Sequence, residues 1–181
     1  EKGYEIYVRD THENAEKVWN KVLEDGEEFG LMVIAPAHHR RIAAGILSWG
    51  QDLDHETSPF QVNLAYQVPR NKKSDYIGKA ELERQRGVMD SGDAPFKMKM
   101  VGITLGGKEI TDYAPDFWLV ADTDGNDMGY VTSPWWSPEL GTNIALAWVP
   151  WSSSEVGTKM LVKLPDEYSV TPGEPVEGEV V

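Results

Sequence analysis

The chain contains no cysteine, which excludes disulfides, thiolate metal sites and cysteine nucleophiles. Bases are scarce: 17 Lys and Arg stand against 30 Asp and Glu, a formal charge of −13. So acidic a surface repels phosphate backbones and anionic headgroups, and neither a nucleic acid nor a membrane surface is an expected partner. No apolar run approaches the roughly 20 residues of a membrane-spanning helix. No signal peptide is visible, which makes the cytoplasm the expected location. The four histidines have no metal spacing, so no metal is expected. The patterns GxSxG, HExxH and GxGxxG are missing, as are internal repeats and low-complexity tracts. An initiating methionine is missing too: Glu1-Lys2-Gly3 leads directly into an expected strand, and Val180-Val181 lies within another. Both ends read as cuts in a longer polypeptide.

What is present suffices for a fold. With 181 residues, 40% of them apolar, the chain can bury a core in one domain or two small ones. Tyr4, Ile6 and Val8 alternate as a strand. Asp10 or Thr11 caps a helix, with Glu13 placed for a capping box from Asp10. Ala15, Val18, Trp19, Val22 and Leu23 form its apolar face, and Gly26 stops it. Residues 31–34 read as a short buried strand. Pro36 suits the first turn of a helix that runs to about Ala44, with Gly45 past its end. Val62, Leu64, Tyr66 and Val68 alternate as another strand. Residues 71–86 read as a loop leading into a surface helix.

Residues 87–95 form a Gly/Pro/Asp/Ser-rich break and the expected linker. Beyond it the pattern turns to β, with candidate strands at 96–105, 117–122, 128–132, 143–149 and 158–164, the spacing of a small barrel or sandwich. The tail 165–181 carries five acids and three prolines. The expected class is α+β, with an α+β part over 1–86 and an antiparallel β-barrel over 96–181.

Several short motifs have competing readings. "DTDGND" (122–127) starts like a calcium loop but lacks the EF-hand glycine and glutamate at their places, so a hairpin turn is favoured. His38 and His39 point about 100° apart on a helix. With Arg40 and Arg41 they suggest a solvated face over a cationic rim. Trp135, Trp136, Trp148 and Trp151 suggest packing over a stacking platform. In "ILSWGQDLDHETSPF" (46–60), Trp49-Gly50 beside Asp52, Asp54 and Glu56 is either a plain helix-to-strand junction or the rim of a ligand site. Asp52 can fix the turn by accepting from nearby amides.

This junction resembles the glycine-cleavage T-protein family, which includes aminomethyltransferases and dimethylsulfoniopropionate demethylases. The family's Arg-Leu-Glu-Ala-Gly, aromatic-Gly-x-Asp and Thr-x-Pro elements meet Arg41-Ile42-Ala43-Ala44-Gly45, Trp49-Gly50-Gln51-Asp52 and Thr57-Ser58-Pro59, followed by the aromatic Tyr66. "GYEIYV" (3–8), "DYIGKAEL" (75–82) and "GYVTSPWWSPELGTNIALAWV" (129–149) resemble three further family blocks, in the right order. The resemblance implies three domains around a central hole that holds tetrahydrofolate. The later part of the folate-binding domain and the barrel would lie in this chain, and the rest in a missing N-terminal half. The catalytic carboxylate would lie in that half, so no catalytic residue is assigned here.

The resemblance implies that Trp49, Gln61, Tyr66, Arg70 and Lys72 meet folate or the small-molecule substrate. Arg70, Lys72 and Lys73 fall where a family arginine meets a ligand carboxylate. Two positions depart from the pattern: Ala43 replaces the family's pterin-reading Glu, and Gln61 replaces the Glu of its Pro-x-Glu. The implied activity is transfer of a methyl or aminomethyl group to tetrahydrofolate without a metal. A demethylase is favoured, and the alternatives are the aminomethyltransferase proper or a non-catalytic folate-binding relative.

Overall fold

A computed structural model describes residues 3–34 and 37–181. The chain divides into two compact units, Glu1–Pro36 and Ala37–Val181.

In the first unit, α1 spans Thr11–Gly26 and a 3-10 turn follows at Glu27–Phe29. No α1 residue is buried. Asp10 starts the helix in a left-handed conformation, φ 51°, and makes no side-chain cap. The expected capping box is therefore replaced by a backbone turn, Glu13 N to Asp10 O at 2.9 Å. Residues 4–8 and 31–34 are not strands, and Tyr4, Ile6, Met32 and Ile34 are exposed. Alternation alone makes no strand without a neighbouring ladder, and no described residue pairs with these segments. The expected Pro36 helix start lies outside the described residues.

The second unit is built on a closed antiparallel barrel of six strands: β1 Met98–Leu105, β2 Trp118–Ala121, β3 Asp127–Ser137, β4 Thr142–Pro150, β5 Lys159–Val162 and β6 Val176–Val180. The order around it is β1-β4-β3-β2-β5-β6, with β6 returning to β1. All five expected strands are present. The sixth lies in the acidic tail, where Gly178 and Val180 face inward while Glu177 and Glu179 stay in water. Strand β3 runs past the expected 132 to Ser137, across a register shift between Val131 and Ser133.

Strand β4 explains the near-continuous apolar run "NIALAWV". Ala145, Ala147 and Val149 fill the barrel with Val101, Ile103 and Val131. On the opposite face Ile144, Leu146 and Trp148 join a second core with Ile42, Val62 and Met100. A strand buried on both sides loses polar alternation, and each large apolar side chain so buried contributes about 1.5–3 kcal/mol.

The second core is covered by α2 (His38–Ala43) and by residues 58–68. The latter segment is not the expected strand. It is a series of turns with a 3-10 helix at Ala65–Gln67, because Asn63 takes φ 60° and breaks any extended path. Helix α3 spans Lys79–Asp90 and enters the expected break at 87–95. One of its side chains, Gln85, is buried and accepts from Ser58 Oγ at 2.7 Å.

Candidate functional site

The stretch from Arg41 to Asp52 fixes α2 on the barrel. Gly45, at φ 65°, ends the helix. Ile46 N reaches Arg41 O at 2.8 Å and Gly45 N reaches Ile42 O at 3.0 Å, the paired bonds of a Schellman stop. Gly50 then turns the chain, with its N–H on Leu53 O at 2.8 Å.

Asp52 is 1% exposed and is the centre of a polar network. Its Oδ2 accepts from Arg41 Nη1 at 2.9 Å and from Ser48 N at 2.7 Å. Its Oδ1 accepts from the hydroxyls of Thr132 and Ser133, both at 2.6 Å. Arg41 Nη2 also donates to Ser133 Oγ at 2.7 Å, and Trp148 Nε1 donates to Asp52 O at 2.9 Å. Asp52 thus fixes its own turn, as expected, and ties it to β3 and β4. Arg41 is not part of a solvated face: its side chain is 17% exposed.

His38 is also packed rather than solvated. Its ring stacks on Trp135 with centroids 4.8 Å apart and meets the Tyr113 edge at 4.2 Å. Nε2 hydrogen-bonds the Tyr113 hydroxyl, and Nδ1 accepts from Arg41 Nε at 3.3 Å. Burial first, and the Arg41 charge second, hold the imidazole below its usual pKa of 6.5, against a smaller upward pull from Asp52. As pH falls through about 6.5, the unfolded chain takes up a proton that the folded ring resists. Stability then drops until the folded pKa is passed, and above about 6.5 the group contributes no slope. His38→Phe keeps a ring against Trp135 and is expected to flatten the unfolding midpoint between pH 7 and 5 relative to the parent. An unchanged slope in thermal melts refutes this role.

Asp54, like Asp52, serves the turn after Trp49. Asp54 Oδ1 accepts from Glu56 N at 2.9 Å and Thr57 Oγ1 at 3.0 Å, and these bonds hold its carboxyl below the usual range. In the β2–β3 hairpin the Asp122 carboxyl is held low chiefly by Asn126 Nδ2, which donates to it at 3.0 Å, and then by the N–H groups of Asn126 and Asp124. Among the described residues no three His, Cys, Asp or Glu side chains are grouped to hold a metal.

The candidate site is a cavity of about 500 Å³ beside α2. The end of that helix, Ala43–Gly45, forms one wall. Asn63 and Tyr66 form another, and Met100, Ile144 and Leu146 belong to the floor. Among the described residues no charged side chain lines it. Of the expected site residues, only Tyr66 is in this wall. Trp49 is 69% exposed and does not line the cavity. Gln61 uses both ends of its amide, accepting from Ser58 N at 3.1 Å and donating to Met98 O at 3.2 Å. Arg70 forms an exposed two-bond pair with Asp90 at 2.7 and 3.0 Å. Lys72 sits over the Tyr76 ring at 4.8 Å. Asn63 and the Asp52 partners Thr132 and Ser133 have no role that the sequence alone predicts. The hydroxyl pair has a visible signal in its position next to β4 in the Val-Thr-Ser block. Asn63 has none, since a left-handed φ is invisible in an alternating run.

No helix of the described residues is long and apolar enough to cross a membrane. Comparison with known proteins extends the picture. Residues 1–72 match the GCVT N-terminal domain and residues 99–177 match the glycine cleavage T-protein C-terminal barrel domain. An aminomethyltransferase from Geobacillus sp. (strain WCH70) is 32% identical over 166 residues, covering 91% of this chain and 42% of that protein. Dimethylsulfoniopropionate demethylase DmdA from Ruegeria pomeroyi is 33% identical over 164 residues, with the same two coverages. The chain therefore spans less than half the length of these relatives. The crystal structure of glycine cleavage system aminomethyltransferase T from Bartonella henselae superposes with a TM-score of 0.60, at 23% identity, over 79% of this chain and 36% of that one, a likeness of fold. With two domain matches of one family in order along the chain, and relatives of that family across nine-tenths of it, this protein belongs to the glycine-cleavage T-protein family.

Proposed function

We propose that the full-length protein is a tetrahydrofolate-dependent one-carbon transferase that moves a methyl or aminomethyl group from a small substrate to folate, acting in the cytoplasm. The observation that carries this reading is the cavity at the end of α2. Its volume of about 500 Å³ lies within the roughly 300–1,000 Å³ of small-molecule sites. Its apolar walls with two neutral polar groups, Asn63 and Tyr66, suit a fused ring with a polar edge. Folate supplies the nitrogen that receives the carbon. The chain's own contribution is to hold the ring against Ala43–Gly45 and Tyr66, exclude water and fix orientation, which accounts for much of the acceleration in such transfers. Arg70 and Lys72 are assigned the ligand's carboxylate. Exchange of Asp90 costs Arg70 little, because an exposed pair is weak. The carboxylate that orients the substrate's heteroatom and the folate nitrogen belongs, on the family resemblance, to a further part of the full-length polypeptide.

Within the family the stretch 46–60 favours demethylation of a small sulfonium or methylated amine. Full-length protein incubated with tetrahydrofolate and one methylated sulfonium, one methylated amine or one aminomethyl donor is expected to yield a one-carbon folate from the sulfonium or the methylated amine. Product from the aminomethyl donor alone assigns the aminomethyltransferase reaction instead. No product from any donor, with folate still bound, favours the non-catalytic relative, a reading supported by Ala43.

A further inference from the structure

Resting on the folate reading, we propose that Asn63 is the specificity-determining residue of the cavity, a neutral acceptor that reads an N–H edge of the bound ring. The first observation is its backbone. Asn63 has φ 60°, and among the described non-glycine residues only Asp10 shares the left-handed region. Asparagine tolerates it better than most side chains. Such a conformation persists where the surroundings dictate it, and it directs attention to a site.

The second observation is that the side chain is already oriented. Asn63 Nδ2 donates to Met100 O at 3.0 Å. A carbonyl oxygen can only accept, so the amide nitrogen belongs on that side. Oδ1 is left over, and no donor among the described residues meets it. The residue is exposed at the cavity mouth and presents an anchored amide whose oxygen no described residue engages, in a largely apolar lining.

The third observation is the lack of competitors among the described residues of that wall. Ala43 offers no side-chain acceptor, and Gln61 lies outside the lining with both amide ends engaged. Tyr66, with 76% exposure, is the other polar side chain of the described lining. A ring edge that must place an amino or amide N–H in this cavity finds Asn63 Oδ1 already fixed. The bond is neutral, so it is weaker than one to a carboxylate, and it selects uncharged heterocycles with one polar edge and apolar faces.

The test is calorimetry on the full-length protein with two probes, tetrahydrofolate and its analogue lacking the ring 2-amino group. Asn63→Gly is the main variant, because glycine adopts φ 60° freely and the fold is retained. It is expected to weaken tetrahydrofolate about five- to tenfold, the value of one neutral hydrogen bond, and to leave the analogue within about twofold of the parent. Tyr66→Phe is expected to leave the difference between the two probes unchanged. Equal loss for both probes, or no loss, overturns the assignment of Asn63 while leaving the folate reading standing. A parent protein that binds neither probe overturns both.

Discussion

Asp52→Ala is expected to lower stability by about 3–5 kcal/mol, the typical cost of removing one partner from a buried ion pair. The replacement strands Arg41, whose side chain is 17% exposed, and leaves Ser48 N, Thr132 Oγ1 and Ser133 Oγ without their common acceptor. At roughly 2–4 °C per kcal/mol for a chain of this size, the midpoint of thermal unfolding falls by about 6–20 °C. Asp52→Asn is the informative comparison. Its oxygen can face Arg41 and Ser48 N while its amide donates to the two hydroxyls, which accept as readily as they donate. It therefore loses the charge pair but keeps the network, and a drop clearly smaller than that of the alanine variant is expected. Equal losses for the two variants would contradict this division of roles.

Gly129→Ala is expected to cost at least about 3 kcal/mol, at or beyond the upper end of ordinary overpacking. A Cβ there would lie 2.0 Å from Trp148 O and 3.3 Å from Val149 Cα. These are backbone atoms of β4, which cannot turn aside as a side chain does. The residue sits beside the register shift of the β2–β3 ladder, opposite Val120, where the strands come too close for any side chain. Gly87→Ala provides the contrast. That glycine lies inside α3 with open space around it, and the same added methyl is expected to raise stability by about 0.5–1 kcal/mol. Chemical denaturation of the two variants checks both signs. A Gly129→Ala protein as stable as its parent would mean that β3 and β4 are farther apart than described.

The β half of the molecule was legible because its residues record two environments at once. Alternation, turn residues and the apolar run of β4 report barrel packing directly, and five strands followed from them. The sixth was legible only at its end, where Val180-Val181 reads as strand: Glu177 and Glu179 obscure its start, although Val176, Gly178 and Val180 keep the period of two. The segment 62–68 misled in the opposite direction. Its alternation is real, but Val62 and Val68 are buried from successive turns rather than from one face of a ladder. The site was partly legible. Tyr66 and the Gly45 helix stop follow from local pattern and family blocks. Asp52 was read as serving its own turn, and its reach of 80 residues to Thr132 is a tertiary fact. His38, His39, Arg40 and Arg41 form a polar run that looks solvated, and only the position of the barrel decides which of them are covered.

The two-sided character of β4 has a mechanical consequence. Neighbouring residues of one strand are the plug of the barrel and the floor of the cavity, so the two cannot be adjusted separately. Enlarging Ala145 or Ala147 to relieve or tighten the interior twists the same backbone that carries Ile144 and Leu146. Selection for a new ligand is thereby constrained by the tolerance of the barrel, and the loops and helix end around the rim are left as the freer sites of change.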